Sequence, residues 1–251
     1  MLEAMTPIDL PGMARVDLQD RRDSKYALAL EQLPELLERI TPHYRILDPG
    51  HGTLVPYSNR YFDTPDWRLF LDHHNGRANR YKFRYRRYGD SGITYFEAKR
   101  KTNKGRTKKK RILALSAPAP LPLQLGDSAS REALSGTPFQ ATDLVHALDV
   151  DFSRFTLVHH GFKDRCTVDT GLSFSRGTAI GGWPDIVICE IKQPRFSRDS
   201  PFVQALEAMG IRPLRMSKYC FGILDTVPGI KYNRFKEKLR CLHQISTPQH
   251  A

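Results

Sequence analysis

The sequence predicts an α+β fold, antiparallel strands with amphipathic helices laid against them. Residues 80–115 alternate at the period of a strand and are broken twice by turn chemistry, at Gly89-Asp90-Ser91-Gly92 and at Thr102-Asn103-Lys104-Gly105. Residues 31–40 and 200–209 instead space their apolar side chains three and four apart, as helices do. A chain of 251 residues that is 40% hydrophobic and 26% charged has apolar material for one large domain or two small ones.

In chain order, residues 1–20 read as a leader or a short packing helix, kept short by Pro7 and Pro11. Residues 21–28 read as a first strand, with Asp23 and Lys25 on one face and Tyr26 and Leu28 on the other. Positions 33, 36, 37 and 40 then form a helix stripe, and Pro34 is tolerated because it falls in the first turn. Residues 57–63 form a strand, and Thr64-Pro65-Asp66-Trp67 turns into a short helix or extended segment through Leu71. His73 and His74 sit in no metal-binding frame and are assigned capping or turn roles.

The three central strands span 80–88, 93–101 and 107–115. On the first, Arg80, Lys82, Arg84, Arg86 and Tyr88 share a face opposite Tyr81, Phe83, Tyr85 and Arg87. On the second, Tyr95, Glu97, Lys99 and Lys101 lie opposite Phe96 and Ala98; on the third, Lys109 and Arg111 lie opposite Lys108, Lys110 and Ile112. Like charges on adjacent strands repel unless anions or water lie between them, so the fold must accommodate something negative.

Residues 116–138, rich in Pro, Ala and Ser, read as a connection, with brief helices at 130–134 and 142–148. Strands return at 155–160 and at 165–170, where Arg165, Thr167 and Asp169 share a face. Residues 184–192 form the most apolar strand, yet Glu190 and Lys192 repeat the spacing of Glu97 and Lys99. Ser200-Pro201 starts a helix that Gly210 ends, and a basic tail from residue 227 closes the chain, read as a solvated helix face over 231–240.

The formal charge of +12 and a pI near 9.7 favour polyanionic partners. Cys166, Cys189, Cys220 and Cys241 are scattered without CxxC or zinc-ligand spacing, which argues against a disulfide framework and for a reducing cytoplasm. No signal-peptide core and no long apolar run occur, so secretion and membrane spanning are not expected. No GxxxxGK[ST], GxGxxG or GxSxG motif is present either; phosphate, if bound, is held by side chains.

Taken together, the motifs Asp23-Ser-Lys-Tyr26, Tyr61-Phe-Asp-Thr64, Arg84-Tyr-Arg86-Arg-Tyr-Gly89, Phe96-Glu-Ala-Lys99, Lys109-Lys-Arg111, Arg165-Cys-Thr-Val-Asp169, Glu190-Ile-Lys192 and Arg215-Met-Ser-Lys-Tyr219 resemble the VTC domain. That domain is the polyphosphate polymerase branch of the triphosphate tunnel metalloenzymes, within the CYTH-like superfamily. The resemblance covers roughly residues 21–224 and implies an antiparallel β-barrel tunnel of about eight strands flanked by helices. It also implies that the γ-phosphate of ATP is transferred to a growing polyphosphate chain with Mn²⁺ or Mg²⁺.

By the same resemblance, Lys25, Arg84, Arg86, Lys99, Lys109, Arg111, Arg165, Lys192, Arg215 and Lys218 grip phosphate, with Arg84, Arg86, Lys99 and Lys218 at the reacting centre. Glu190 is the metal-binding carboxylate. Glu97 is either a second metal or water ligand or an internal counter-ion to Lys99 and Arg84. One tunnel arginine has no counterpart at 157–161, leaving His159, His160 or Lys163 as substitutes. A membrane-protein partner beside a cytoplasmic enzyme is a further expectation of the resemblance. The alternatives are a triphosphatase or nucleotide hydrolase, a non-catalytic polyphosphate module on the same scaffold, or a nucleic-acid binder using residues 104–111.

Overall fold

A strand that is apolar on one face and charged on the other needs a dry cover on the first and water or counter-ions on the second. The computed structural model describes residues 2–15, 22–89, 91–104, 106–115 and 120–246 and shows how both demands are met. The elements, in order, are β1 (Pro7–Ile8), α1 (Leu10–Met13), β2 (Arg22–Ala29), α2 (Leu33–Ile40), β3 (Tyr44–Leu47), β4 (Val55–Asp63), α3 (Arg68–His74) and β5 (Arg80–Tyr88). There follow β6 (Ile93–Lys101), β7 (Thr107–Leu115), α4 (Ser128–Leu134), β8 (Val145–His159), β9 (Arg165–Arg176) and β10 (Ala179–Trp183). The chain ends with β11 (Ile186–Gln193), α5 (Pro201–Ala208), α6 (Lys218–Thr226) and α7 (Lys236–Ser246).

All strands belong to one sheet, whose main path runs β2-β11-β9-β8-β4-β5-β6-β7 with antiparallel neighbours throughout. This is the eight-stranded tunnel fold expected from the resemblance, with one difference: among the described residues the end strands β2 and β7 are not paired, so the barrel is not closed by hydrogen bonds. Outside the path, β10 pairs with β9, and β3 joins β8 to the parallel strand β1.

Side-chain alternation sorts the sheet into dry and charged faces. Tyr26, Leu28, Val187, Cys189, Ile191, Phe155 and Leu157 pack outward under α2 and α5. Phe83, Tyr85, Phe96 and Ala98 do the same under α4 and the segment before it. On the opposite face, Ala27, Ile188, Phe174, Leu148 and Phe152 meet α6 and α7 at one end of the strands. Further along that same face stand Lys25, Glu190, Lys192 and Arg154. Helix α6 therefore plugs half of the inner face and leaves the charged half open.

Two sequence expectations change here, at residues 142–148 and in the C-terminal helix, while His73 and His74 take the helix-end place expected of them. Residues 142–148 are not a helix: a single 3-10 turn gives way to β8, which starts at Val145 and is more than twice as long as expected because Ala147, Leu148, Val150 and Phe152 supply inner-face packing. His73 and His74 close helix α3; His73 lies against Arg80 Nε at 3.1 Å, and burial pushes its pKa down to about 2. Residues 236–246 form a helix that buries Leu242 beside Phe235, not a wholly solvated face. The expected leader boundary at 20/21 lies outside the described residues.

Candidate functional site

The charged half of the inner face is built from three carboxylate-centred clusters. Glu97 on β6 stands in register between Arg84 on β5 and Arg111 on β7. It is 1% exposed, accepts from Arg84 Nε at 2.8 Å through Oε2, and pairs with Lys109 through Oε1. Burial alone would raise its pKa, but Arg84, Arg86 and Lys109 hold it well below the usual carboxylate range. The same pairing raises the Arg84 pKa against the effect of burial, and Arg84 Nη1 also donates to Tyr61 Oη at 2.7 Å.

Asp169 on β9 is the second centre. Arg154 on β8 grips it through Nε and Nη2, the latter at 2.8 Å, and Lys218 at the start of α6 pairs with the same carboxylate. Against the upward pull of burial, Arg154 and Lys218 depress its pKa. Lys218 Nζ also sits 4.7 Å from the centre of the Phe152 ring. Asp169 thereby ties the plug helix to the wall.

The third centre is Glu190 on β11, in register with Lys25 on β2 and Thr167 on β9. Its Oε1 lies 3.0 Å from Lys25 Nζ and its Oε2 3.8 Å from Lys192 Nζ. Burial would raise its pKa, but Lys192, Lys25, Arg154 and Lys99 hold it far below the carboxylate range. The influence of Lys99 is informative, because β6 and β11 stand five places apart along the sheet path. Only a strongly curled sheet brings them within electrostatic reach, so the cations do converge on one concave face.

Several cations remain less compensated. Lys99 is in register with Lys82 on one side and Lys109 on the other, and among the described residues it makes no ion pair. Burial, with Arg84 and Arg86 nearby, pushes its pKa down to about 7. Burial likewise brings Lys192 down to about 8, although Glu190 opposes the shift. Lys82 donates to Ser217 Oγ at 2.7 Å, and Arg86 Nε donates to Asn59 Oδ1 at 2.7 Å, both neutral acceptors. An inward wall of this kind is tolerable when wet or when an anion completes it.

Of the residues singled out from sequence, Lys25, Arg84, Arg86, Glu97, Lys99, Lys109, Glu190, Lys192 and Lys218 come together. Arg165 stands at the margin, opposite Lys192 in register. Arg111 is exposed, its guanidinium 4.2 Å from the centre of the Tyr95 ring, and Arg215 is exposed on the segment before α6; both lie outside the buried network.

Arg154 is the main residue that sequence reasoning missed. With β8 expected to start at 155, Arg154 had no strand face to occupy; alternation with Phe152 and Thr156 would have placed it inward. It is an inner-face arginine on β8, upstream of the stretch 157–161 where the resemblance left one without a counterpart. The three substitutes are elsewhere: His159 packs edge-on against Tyr44, and His160 and Lys163 are exposed. Lys82 was visible on the right face and belongs to the site as well.

A divalent cation would find limited ligands. Among the described residues no three His, Cys, Asp or Glu side chains gather into a cation cage, and both oxygens of Glu97 are taken by Arg84 and Lys109. Glu190 also lies between two lysines, but its Oε2 is the more loosely held, 3.8 Å from Lys192 Nζ, and it stands in register with Thr167, whose buried hydroxyl has no hydrogen-bond partner among the described residues. One carboxylate and one hydroxyl suit a magnesium-like ion that brings phosphate oxygens and water as its other ligands.

No described helix is long and apolar enough to cross a membrane. No curated protein sequence matches the chain. A candidate adenylate cyclase from Bacillus halodurans is 16% identical, with a TM-score of 0.50 over 79% of this chain and 96% of its own. A candidate adenylyl cyclase from Hippeastrum, described as having a dominant triphosphatase activity, is 13% identical, with a TM-score of 0.49 over 86% of this chain and 95% of its own. Residues 20–117 match the family model of the VTC domain, so over that stretch the resemblance read from the motifs holds.

Proposed function

We propose that the chain is a polyphosphate polymerase that moves the γ-phosphate of ATP onto a growing inorganic polyphosphate chain lying along the concave face. The observation that carries this reading is the imbalance of charge there. Glu97, Asp169 and Glu190 are each held between two cations, while Lys82, Arg86 and Lys99 keep no carboxylate partner among the described residues. A linear phosphate chain presents anionic oxygens at each unit and would complete such a row, with each charge-assisted hydrogen bond contributing about 1.5–3 kcal/mol.

In this reading a terminal oxygen of the acceptor chain attacks the γ-phosphorus, the bond to the β–γ bridging oxygen breaks, and ADP leaves while the acceptor grows by one phosphate. Arg84, Arg86, Lys99 and Lys218 hold the phosphates in line and absorb charge on the bridging oxygen. Arg84 is itself locked by Glu97 and Tyr61, so its donors are fixed before substrate arrives. A Mn²⁺ or Mg²⁺ ion carried in with the phosphates would rest on Glu190 and the Thr167 hydroxyl, where it supplies charge neutralisation. Glu97, with both oxygens engaged, serves as counter-ion. Lys25, Lys109, Arg154 and Lys192 line the path, with Arg111, Arg165 and Arg215 at its margins.

The test is incubation with ATP and Mn²⁺ or Mg²⁺, followed by separation of products. Long phosphate polymer together with ADP is expected, and Arg84→Glu should abolish it. Release of orthophosphate or tripolyphosphate without polymer would assign the same site to a hydrolase, and binding without turnover would assign it to a polyphosphate-binding module.

A further inference from the structure

The tip of the β6–β7 hairpin carries a second cationic site on the other side of the sheet. Thr102 N and Oγ1 both donate to Arg106 O, at 2.8 and 3.1 Å, and close the hairpin. Beside it lies a cleft of about 370 Å³, lined by Arg100, Lys104, Arg106 and Lys108 and otherwise by asparagine and threonine. Arg100 and Lys108 are register partners and alternate with Lys99 and Lys109, so they face away from the concave site.

Two details make this more than a solvated patch. Arg100 Nη2 donates to Asn79 Oδ1 at 3.0 Å, which fixes the guanidinium; Asn79 itself adopts a left-handed φ of 57°. Arg100 Nε is shielded from solvent and has no acceptor among the described residues. A guanidinium held by Asn79 and packed over the Tyr81 ring at 5.6 Å, among three lysine or arginine neighbours and no carboxylate in the lining, suits an anion with several oxygens.

We infer that this cleft binds a linear oligophosphate outside the tunnel, gripping the part of a long chain that the concave face cannot hold. The inference rests on the proposed function for its ligand, and the hairpin geometry supports that choice. On the same two strands Lys99, Lys101 and Lys109 face the tunnel, so a chain rounding the exposed edge strand β7 would pass from one set of cations to the other. Single-stranded nucleic acid is less well matched: the cleft lining has no aromatic side chain on which a base could stack.

The experiment compares the full chain with a Lys104→Gln, Arg106→Gln, Lys108→Gln variant, all exposed positions outside the tunnel. Affinity for tripolyphosphate and for long-chain polyphosphate is measured over a range of salt. The variant should keep its tripolyphosphate affinity, lose about tenfold or more for the long chain, and lower the salt slope for the long chain by about two. Unchanged long-chain affinity and slope would overturn the inference, as would loss confined to single-stranded oligonucleotides. Arg84→Glu serves as the separate control: if neither it nor the parent binds tripolyphosphate, the tunnel reading fails, while the response of long-chain binding to the cleft variant still decides the second site.

Discussion

At the scale of single residues, Glu97 is the most exacting position. It is 1% exposed and pairs with Arg84 and Lys109 at once, so Glu97→Ala leaves the buried Arg84 guanidinium without its carboxylate and frees the more exposed Lys109. Thermal or denaturant unfolding should show a loss of about 3–5 kcal/mol, partly recovered by added tripolyphosphate. Unchanged stability with loss of metal-dependent turnover would instead make Glu97 a metal ligand. Lys99 gives a different signature. Its pKa lies near 7 in the folded chain against an ordinary 10.5, so the native state binds fewer protons than the unfolded chain between these values. Raising the pH through that window therefore stabilises the free protein while weakening its hold on anions. Tripolyphosphate binding near pH 8 should take up protons, as a bound anion restores the Lys99 charge. Calorimetry in buffers of different ionisation enthalpy reads this directly; the same heat in all buffers would refute it.

At the scale of elements, α6 carries the positional burden. Ser217 caps it, accepting from Cys220 N at 3.3 Å and from Lys82 at 2.7 Å, so one hydroxyl fixes both the helix start and a tunnel lysine. Gly222 lies so close to the wall that an added Cβ would come within 2.6 Å of Leu148 and 2.7 Å of Phe174. Gly222→Ala is expected to cost about 1–3 kcal/mol by overpacking and to shift Lys218 away from Asp169, lowering tripolyphosphate affinity. Melting curves and titrations on one preparation test both parts, and an unaltered affinity would show that α6 is not what positions Lys218. The central hairpins were legible in the sequence because Arg84, Arg86, Glu97 and Lys99 alternate with aromatic residues that permit no other register. The start of β8 was not, because His146 to Asp149 mixes apolar and polar residues around register shifts, including one opposite Tyr61 and Phe62. Misplacing that start hid Arg154, and its link to Asp169 is a contact between strands that spacing along one strand does not reveal.

At the scale of the whole molecule, the fold concentrates a net charge of +12 partly onto one concave surface and one hairpin. Stability should therefore depend on anions more than on any single contact. Tripolyphosphate at about 100 times its dissociation constant adds about 2.7 kcal/mol, and for a chain of this size that raises Tm by roughly 5–10 °C. Sodium chloride should reduce the shift, and differential scanning calorimetry would show it; no shift at saturating ligand would deny that the folded state binds triphosphate. Which strands meet across the barrel, β6 with β11 for example, was legible only through the family resemblance, since no local pattern encodes a separation of five places along the sheet.

The row Lys82, Lys99 and Lys109, three ammonium groups on adjacent strands, has a practical corollary for handling the protein. Under the proposed function, sulfate and phosphate buffers should compete at this row, so exhaustive exchange of the purified protein into a monovalent buffer should raise measured turnover before any residue is altered.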